Sequence, residues 1–333
     1  MKNTLAEIAS RTGFSKTTIS RVLSGQSDKY RISKKTCEAI VKEAKKCHYT
    51  KHLSAQRLRE IESSTIGLLL PSLANLFFAE LADVIIEELN KAGYFTVLMD
   101  TMENEDKFRE SVQTLASRRV RGIIAVPCDG GIPVLEEIDA NGTPVVLIDR
   151  SHNESALSYV TTNNYQGSKK ATEELIQKGH RRIACLQGKD SSTNRDRVAG
   201  YRDAMQAAGL GEQIMTVGNE FTIQNGYLET KLLLAMDPST RPSAIFSLSN
   251  MIALGAIKAI NEAGLNIPED IALLTFDNNT YLDFMQPSLT RIAQATGDMG
   301  ILAVKLLLDR INHNTLTKTT LILTPTLIKG DSV

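Results

Sequence analysis

The chain has 333 residues, of which 42% are hydrophobic and 23% are charged, and it contains no tryptophan. This is the composition of an ordinary globular protein that is long enough for two or three domains. The sequence has no apolar signal-peptide core and no apolar run of membrane-spanning length, which argues against a secreted or integral membrane protein and predicts a cytoplasmic one.

The formal net charge of zero hides an asymmetry along the chain. Residues 1–62 carry 14 Lys and Arg against six Asp and Glu, a net charge of +8, so the remaining residues carry a net charge of −8. A basic N-terminal head on an acidic body is typical of a protein in which only the head contacts a polyanion. An ordinary solvated basic surface is the alternative.

Three short amphipathic helices are predicted in the head. Thr4 begins a capping box before the first helix, Gly13 allows a sharp turn, and Ser15 caps a second helix that ends at Gly25. A third helix begins near Ser33. The apolar residues recur at helical spacing, and a glycine turn separates the first two helices, as is typical of a helix-turn-helix unit.

The second helix has a strongly polar outer arc. Arginine can pair with guanine through two hydrogen bonds, and hydroxyl groups reach base edges or phosphates, so this arc fits the major groove of DNA. A small three-helix bundle with an ordinary polar surface is the alternative. The DNA contacts predicted for the head, including two phosphate-binding lysines at the start of the third helix, are Ser15, Lys16, Thr17, Thr18, Ser20, Arg21, Lys34 and Lys35.

Residues 52–63 connect this head to the strand-like stretch TIGLLL. Within them, residues 54–59 could form less than two helical turns, and isolated helices of this length are unstable in water. We therefore expect a hinge that becomes ordered only when it docks. A plain linker is the alternative.

From residue 65 onward, short apolar stretches alternate with amphipathic stretches. This alternation is typical of parallel sheets with helices on both faces, and its length favours two doubly wound α/β lobes that divide near residue 161. The predicted strands are 66–70, 95–99, 122–126, 145–148, 183–187, 244–248 and 271–275. The predicted helices are 79–91, 107–118, 167–178, 197–208, 227–236 and 253–263.

Polar and aromatic residues follow several of these strands. Doubly wound sheets bind ligands beyond the carboxyl ends of their strands, so two facing lobes would form a cleft there. Carboxylates accept from hydroxyl groups, arginine donates in pairs, and aromatic rings cover a sugar ring, so the set predicts a polyhydroxyl ligand. For each residue alone, a loop cap or surface ion pair is the alternative. The predicted ligand contacts are Phe77, Phe78, Asp149, Arg197, Phe221, Ser249, Asn250 and Asp277.

The head motif TLAEIASRTGFSKTTISRVLSG, the hinge and the following TIGLLLPSLANLFFAEL together resemble the lactose-repressor/galactose-repressor family of bacterial transcription regulators. The resemblance runs from about residue 4 to residue 329. Two departures are visible: the loop GQSDKYRIS after the second helix is longer than usual, and Lys51 and His52 replace the common Pro-Asn before the hinge.

This resemblance implies a core of the periplasmic-binding-protein type and a homodimer that reads a near-palindromic DNA operator. In the hinge, it implies that Leu58 enters the minor groove as an apolar wedge. Further DNA contacts are expected at Thr4, Ala55, Gln56 and Arg57. In the body, the resemblance maps effector contacts onto Phe78, Asp149, Arg197, Phe221, Ser249 or Asn250, and Asp277.

The expected organisation is a helix-turn-helix domain at 1–51, a hinge at 52–63 and a two-lobed effector-binding and dimerisation domain at 64–333. Because the family's chain crosses between its lobes three times, a late helix at 296–312 is expected to return to the first lobe and the last strand to the second. Lobe 1 would therefore contain residues 64–161 and 295–320. Lobe 2 would contain residues 162–294 and 321–333.

A sugar-active enzyme, or a free-standing sugar-binding protein on the same α/β scaffold, is the alternative function. The sequence contains no nucleophile elbow, phosphate loop, dinucleotide motif or zinc-protease motif, and its five histidines are scattered. Its four cysteines lack metal-site spacing. We therefore predict a homodimeric transcriptional repressor without catalytic residues, metal or cofactor, controlled by a small ligand that is a sugar or sugar derivative.

Overall fold

The computed structural model describes residues 5–23, 25–47, 64–128, 130–150, 154–313 and 317–333. The chain forms two compact units, Met1–Glu62 and Ser63–Val333. The predicted DNA contacts Thr4, Ala55, Gln56, Arg57 and Leu58 lie outside the described residues. Within the described ranges, no helix is both long enough and apolar enough to span a bilayer.

The head contains the three helices α1 (Leu5–Thr12), α2 (Lys16–Leu23) and α3 (Lys34–Lys46). Ile8, Ile19 and Ile40, one from each helix, are fully buried at its centre. Gly13 between α1 and α2 adopts a φ of 72°, a left-handed conformation that glycine takes without strain. These elements confirm the predicted helical head with a glycine turn between its first two helices.

Hydroxyl caps begin the second and third helices of the head. Ser15 Oγ accepts a hydrogen bond from the backbone N–H of Thr18 at 3.1 Å, and Ser33 Oγ accepts one from the backbone N–H of Thr36 at 3.2 Å. These bonds satisfy donors that the first turn of a helix leaves unpaired. Ser15 therefore has a structural role at the start of α2, as predicted from the sequence.

The body contains two six-stranded sheets. The strands of the first sheet are β1 (Thr65–Leu70), β2 (Phe95–Asp100), β3 (Gly122–Ala125), β4 (Val145–Ile148), β5 (Ser158–Thr162) and β11 (Thr320–Leu323). The strands of the second sheet are β6 (Ile183–Leu186), β7 (Met215–Val217), β8 (Ala244–Ser247), β9 (Ala272–Phe276), β10 (Thr290–Ala293) and β12 (Thr326–Ile328). The spatial orders are β11-β5-β4-β3-β1-β2 and β12-β10-β9-β8-β6-β7. All neighbours are parallel except β10 and β12.

Helices cover both faces of each sheet. The first sheet is covered by α4 (Leu76–Lys91) and α11 (Thr296–His313) on one face and by α5 (Glu105–Ser117) and α6 (Ile132–Ala140) on the other. The second is covered by α7 (Asn164–Gln177) and α8 (Ser192–Ala207) on one face and by α9 (Ile223–Leu234) and α10 (Asn250–Glu262) on the other. Because both faces are buried, the central strands are continuous apolar runs.

The chain crosses between the two sheets three times, after β5, after β10 and after β11. The expected boundary between lobe 1 and lobe 2 at residues 320–321 is wrong. Strand β11 pairs with β5 of the first sheet along Thr320–Leu323, and of the last two strands only β12 joins the second sheet. Leu321 and Leu323 pack on the core of the first lobe, which keeps β11 there. Thr162, expected in lobe 2, is likewise the last residue of β5 in the first sheet.

Candidate functional site

A cavity of about 870 Å³ lies between the two lobes. Its wall is built from the segments that follow β1, β2 and β4 in the first lobe and β6, β7, β8, β9 and β10 in the second. This is the carboxyl end of both sheets, where doubly wound folds bind ligands. Seven of the eight predicted ligand contacts line the cavity: Phe77, Phe78, Asp149, Arg197, Phe221, Ser249 and Asp277.

Aromatic rings from both lobes contribute to the wall. Phe77 and Phe78 begin α4, which Asn75 caps by accepting a hydrogen bond from the backbone N–H of Phe77 at 3.1 Å. Their ring centroids are 5.1 Å apart in an edge-to-face arrangement. Phe221 of the second lobe lies against the backbone of Gly188, where any Cβ atom would clash with the ring. The cavity therefore has an apolar surface on each side.

Arg197 on α8 is held in a fixed orientation. Its Nε donates to Asn164 Oδ1 at 2.8 Å, its Nη1 donates to the Leu248 carbonyl at 2.7 Å, and its Cζ lies 3.7 Å from the ring centroid of Phe276. Its Nη2 is 3.8 Å from Asp277 Oδ1. Burial lowers the pKa of Arg197, and the Asp277 carboxylate opposes that effect. All of these partners belong to the second lobe, so that lobe alone orients the guanidinium.

Asp149 and Asp277 occupy equivalent places in the two lobes, directly after β4 and β9. They are 4% and 3% exposed, and they adopt left-handed φ values of 66° and 79°. Such φ values are uncommon outside glycine, and aspartate tolerates them better than most residues. Strained backbone of this kind clusters at binding sites. Each lobe thus places one buried carboxylate at the cavity wall.

The hydrogen bonding of these two carboxylates differs. Asp277 Oδ1 accepts a hydrogen bond from Gln294 Nε2 at 2.7 Å and faces Arg197. Among the described residues, none donates a hydrogen bond to the carboxylate of Asp149. Burial raises the pKa of Asp149 to about 6, and the neighbouring Arg150 and Arg197 only partly oppose this rise. Asp149 is therefore a buried acceptor to which no described residue donates.

Two contacts join the lobes beside the cavity. On one side, Lys189 Nζ of the second lobe donates to the Glu103 carbonyl of the first at 3.3 Å. The Glu103 carboxylate in turn accepts from Arg150 Nη1 at 2.9 Å and from Nη2 at 2.5 Å. On the other side, Asn279 Nδ2 donates to Glu80 Oε1 on α4 at 2.9 Å. Sequence reasoning missed these contacts.

Asn250, the eighth predicted ligand contact, is not among the residues that line the cavity. It is fully buried at the start of α10, whose cap is Ser249, with Ser249 Oγ accepting from the backbone N–H of Ile252 at 3.3 Å. Neither amide atom of Asn250 has a hydrogen-bond partner in the described part of the chain, and the same is true of Gln294 Oε1, which does line the cavity. Unpaired buried polar atoms are unfavourable by about 1–3 kcal/mol each. Gln294 Oε1, at the cavity wall, therefore favours a ligand that offers a hydroxyl donor.

The predicted DNA contacts of the head lie on its polar surface. Ser15, Lys16, Thr17, Lys34 and Lys35 are exposed, while Thr18, Ser20 and Arg21 are partly buried. None of the four cations in this set forms an ion pair with a described residue. By contrast, Arg11 on α1 pairs with Glu7 at 2.8 Å and with Glu43 at 3.5 Å. The cations of α2 and of the start of α3 thus remain available to an external anion.

No group of three or more metal-ligating side chains comes together in the described segments. The residues that surround the cavity include carboxylates, amides, cations, hydroxyl groups and phenylalanines, a set that can bind polar organic molecules. The cavity therefore has the chemistry of a small-molecule binding site.

Residues 172–333 match the model of the periplasmic binding protein-like domain family. Over 333 residues, the chain is 32% identical to the ribose operon repressor of Escherichia coli (strain K12), and the alignment covers 99% of each protein. The chain belongs to the lactose-repressor/galactose-repressor family of bacterial transcription regulators. Another member, the HTH-type transcriptional repressor PurR of Vibrio vulnificus (strain CMCP6), is 30% identical over 337 residues, covering 99% of this chain and 98% of PurR.

Solved structures of the family share this fold. The lac repressor dimer bound to operator and the anti-inducer ONPF has a TM-score of 0.82 and 25% identity, covering 99% of this chain and 98% of that one. A LacI family transcriptional regulator from Enterococcus faecium with bound ribose has a TM-score of 0.73 and 28% identity, covering 81% and 98%. These findings confirm the prediction of a DNA-binding transcriptional repressor with a periplasmic-binding-protein-like core. The relatives named here are regulators rather than enzymes.

Proposed function

We propose that the chain acts in the cytoplasm as a homodimer on a near-palindromic operator, and that a sugar, with ribose as the first candidate, binds in the cavity and sets operator affinity. The observation that carries the proposal is the Asp149 carboxylate. It is 4% exposed and has no hydrogen-bond donor among the described residues, in a cavity that also presents Arg197 and Asp277.

A sugar provides the groups that this cavity lacks. Its hydroxyl groups can donate to Asp149 and to Gln294 Oε1, and its ring oxygens can accept from Arg197 Nη2. The phenylalanines of both lobes can cover the apolar faces of the ring. The E. coli relative is a ribose operon repressor and the E. faecium structure holds ribose, which supports a pentose.

The proposed DNA contacts divide into two classes. Lys16, Thr17 and Arg21 on α2 read base edges, and Lys34 and Lys35 at the start of α3 bind phosphates. The remaining head contacts, at Thr4, Ser15, Thr18 and Ser20, support this docking. In the hinge, Leu58 enters the minor groove as an apolar wedge, and Ala55, Gln56 and Arg57 contact the DNA nearby.

The ligand controls the DNA contacts through the arrangement of the lobes. A sugar that contacts Asp149 of one lobe and Arg197 of the other stabilises one arrangement of the two lobes over the alternatives. In a dimer, this changes the spacing of the two hinges over the operator. A differential binding energy of about 1–3 kcal/mol is enough to change occupancy several-fold to a hundredfold.

The test combines ligand titration with DNA binding. Preferred duplexes are first selected from a random library with the purified protein, and ribose binding is measured by titration calorimetry. We expect ribose to bind at one site per chain and to change affinity for the selected duplex at least about tenfold. Absence of both binding and DNA response with ribose and related pentoses would contradict the proposal.

A further inference from the structure

The long loop between α2 and α3, residues 25–33, has a defined structure. The backbone N–H of Gln26 donates to the Arg21 carbonyl at 3.0 Å, that of Tyr30 donates to the Gln26 carbonyl at 3.3 Å, and that of Ile32 donates to the Ser27 carbonyl at 2.9 Å. Ile32 packs against the core of the head. The loop is therefore anchored at both ends and folds back on the end of α2.

This fold brings Tyr30 against Arg21. The Arg21 Cζ atom lies over the Tyr30 ring, 3.8 Å from its centroid, and Lys29 Nζ lies 6.0 Å from the same centroid. The Arg21 guanidinium makes no hydrogen bond or ion pair with any described residue. The aromatic face thus holds the cation while its N–H donors stay free, which a carboxylate partner would not allow.

We propose that Tyr30 is a positioning residue for base recognition, which orders the Arg21 guanidinium in the free protein so that it enters the major groove already oriented. This inference rests on the proposed role of α2 as the DNA reader. Arginine recognises guanine through donors in the guanidinium plane, and a ring that contacts the guanidinium face leaves them available. Ordering a long side chain before binding removes an entropic penalty from the binding step.

Four variants isolate this role. Tyr30→Leu removes the aromatic face but keeps apolar bulk, and Tyr30→Phe is the matched control, which keeps the face and removes the hydroxyl. Arg21→Ala and the double variant Arg21→Ala/Tyr30→Leu complete a mutant cycle. Because Tyr30 is 41% exposed, we expect all four proteins to melt close to the wild-type temperature, which circular dichroism checks.

The measurement uses full-length protein and two duplexes. One is the site that wild type selects from a random library, and the other differs at the base pair that Arg21→Ala no longer selects. We expect Tyr30→Leu to lose about twofold to tenfold in affinity for the selected site, in keeping with a cation–π contact, while Tyr30→Phe stays within about twofold. In the Arg21→Ala background, Tyr30→Leu should not change DNA affinity. On the altered duplex, Tyr30→Leu should bind with the same affinity as wild type.

Three results would overturn the inference. If Tyr30→Leu lowers DNA affinity equally with and without Arg21, Tyr30 contacts DNA directly. If Tyr30→Phe lowers affinity as much as Tyr30→Leu does, the effect belongs to the hydroxyl. If Tyr30→Leu binds DNA with wild-type affinity, the ring has no role. A separate result identifies failure of the proposed reader itself: if Arg21→Ala selects the same sites as wild type, Arg21 does not read bases, and the role of Tyr30 falls with it.

Discussion

Asp149 in the first lobe and Asp277 in the second follow equivalent strands with the same left-handed backbone, but their surroundings differ. Asp277 accepts a hydrogen bond from Gln294 and lies beside the buried Arg197. Asp149 accepts none from the described residues, and its neighbour Arg150 is engaged by Glu103. The second lobe thus presents a charge arrangement that it has completed itself, whereas the first lobe presents an acceptor to which no described residue donates.

The largest expected effect is at the buried pair of Arg197 and Asp277 in the second lobe. Arg197→Ala leaves the buried Asp277 carboxylate without its cation, which typically destabilises a protein by about 3–5 kcal/mol. We expect a lower free energy of unfolding in urea and no ribose binding in calorimetry. Arg195→Ala is the matched control, because Arg195 lies on the same helix but is exposed and pairs with exposed Asp190. It should change stability by about 0–1 kcal/mol. Wild-type ribose affinity in Arg197→Ala would contradict this expectation.

A smaller effect is expected at Asp149, where removing the charge should raise the free energy of unfolding rather than lower it. The pKa of Asp149 is raised to about 6, so between its unfolded value of 3.8 and about 6 the folded state binds more protons than the unfolded state. The free energy of unfolding therefore falls as pH rises through this window. Above it, the ionised carboxylate destabilises the free protein by on the order of 2–3 kcal/mol.

Asp149→Asn removes that charge and keeps a residue that tolerates a left-handed φ. We expect greater urea stability than wild type at about pH 7.5, no such gain near pH 4, and ribose affinity reduced at least about tenfold. Asp277→Asn is the comparison, and it should lose stability at about pH 7.5 because Arg197 loses its partner. A loss of stability in Asp149→Asn at that pH would show that its carboxylate is already satisfied in the free protein.

The smallest expected effect concerns the hydrogen bond between the lobes. Glu80→Ala removes the carboxylate oxygen that accepts from Asn279 Nδ2, and a typical hydrogen bond contributes about 0.5–1.5 kcal/mol. We expect ribose affinity to fall about twofold to tenfold, while Glu80→Gln, which retains a carbonyl acceptor, stays within about twofold of wild type. Calorimetry on the two variants measures the difference. Equal affinities of Glu80→Ala and wild type would show that this contact does not stabilise the ligand-binding arrangement.

Much of the fold was predictable because buried parallel strands are continuous apolar runs. All seven strands and six helices predicted from such runs are present. Prediction missed β5, whose sequence SYVTT is mostly polar, and β10, whose sequence TRIA contains a buried arginine. It also missed the three-residue β7 and α6, which begins beside Gly131 and Pro133. The boundary of β11 was misplaced because its membership depends on packing of Leu321 and Leu323 rather than on local pattern.

The candidate site was predictable to the extent that strand ends mark it. That rule found the two aspartates, but it does not determine which of two adjacent residues faces the cavity, as Ser249 and Asn250 show. Contacts between distant segments carry no local signal: Glu80 and Asn279 are 199 residues apart. The contact of Tyr30 with Arg21 depends on how the loop folds back, which its unusual length alone does not specify.

Calorimetry can test directly whether the ligand donates hydrogen bonds to the Asp149 carboxylate. The charged groups that face its carboxylate are Arg150, Arg197, Asp277 and Glu103, and because burial raises its pKa to about 6, part of the free protein carries a protonated Asp149 at pH 6. Hydroxyl groups that donate to the carboxylate favour its ionised form, so ribose binding must expel the proton. Titration of ribose at pH 6 in buffers of different ionisation enthalpy should show net proton release on binding, falling to near zero at about pH 8. Ribose binding at pH 6 without proton release would contradict the assignment of Asp149 as the acceptor that the ligand completes.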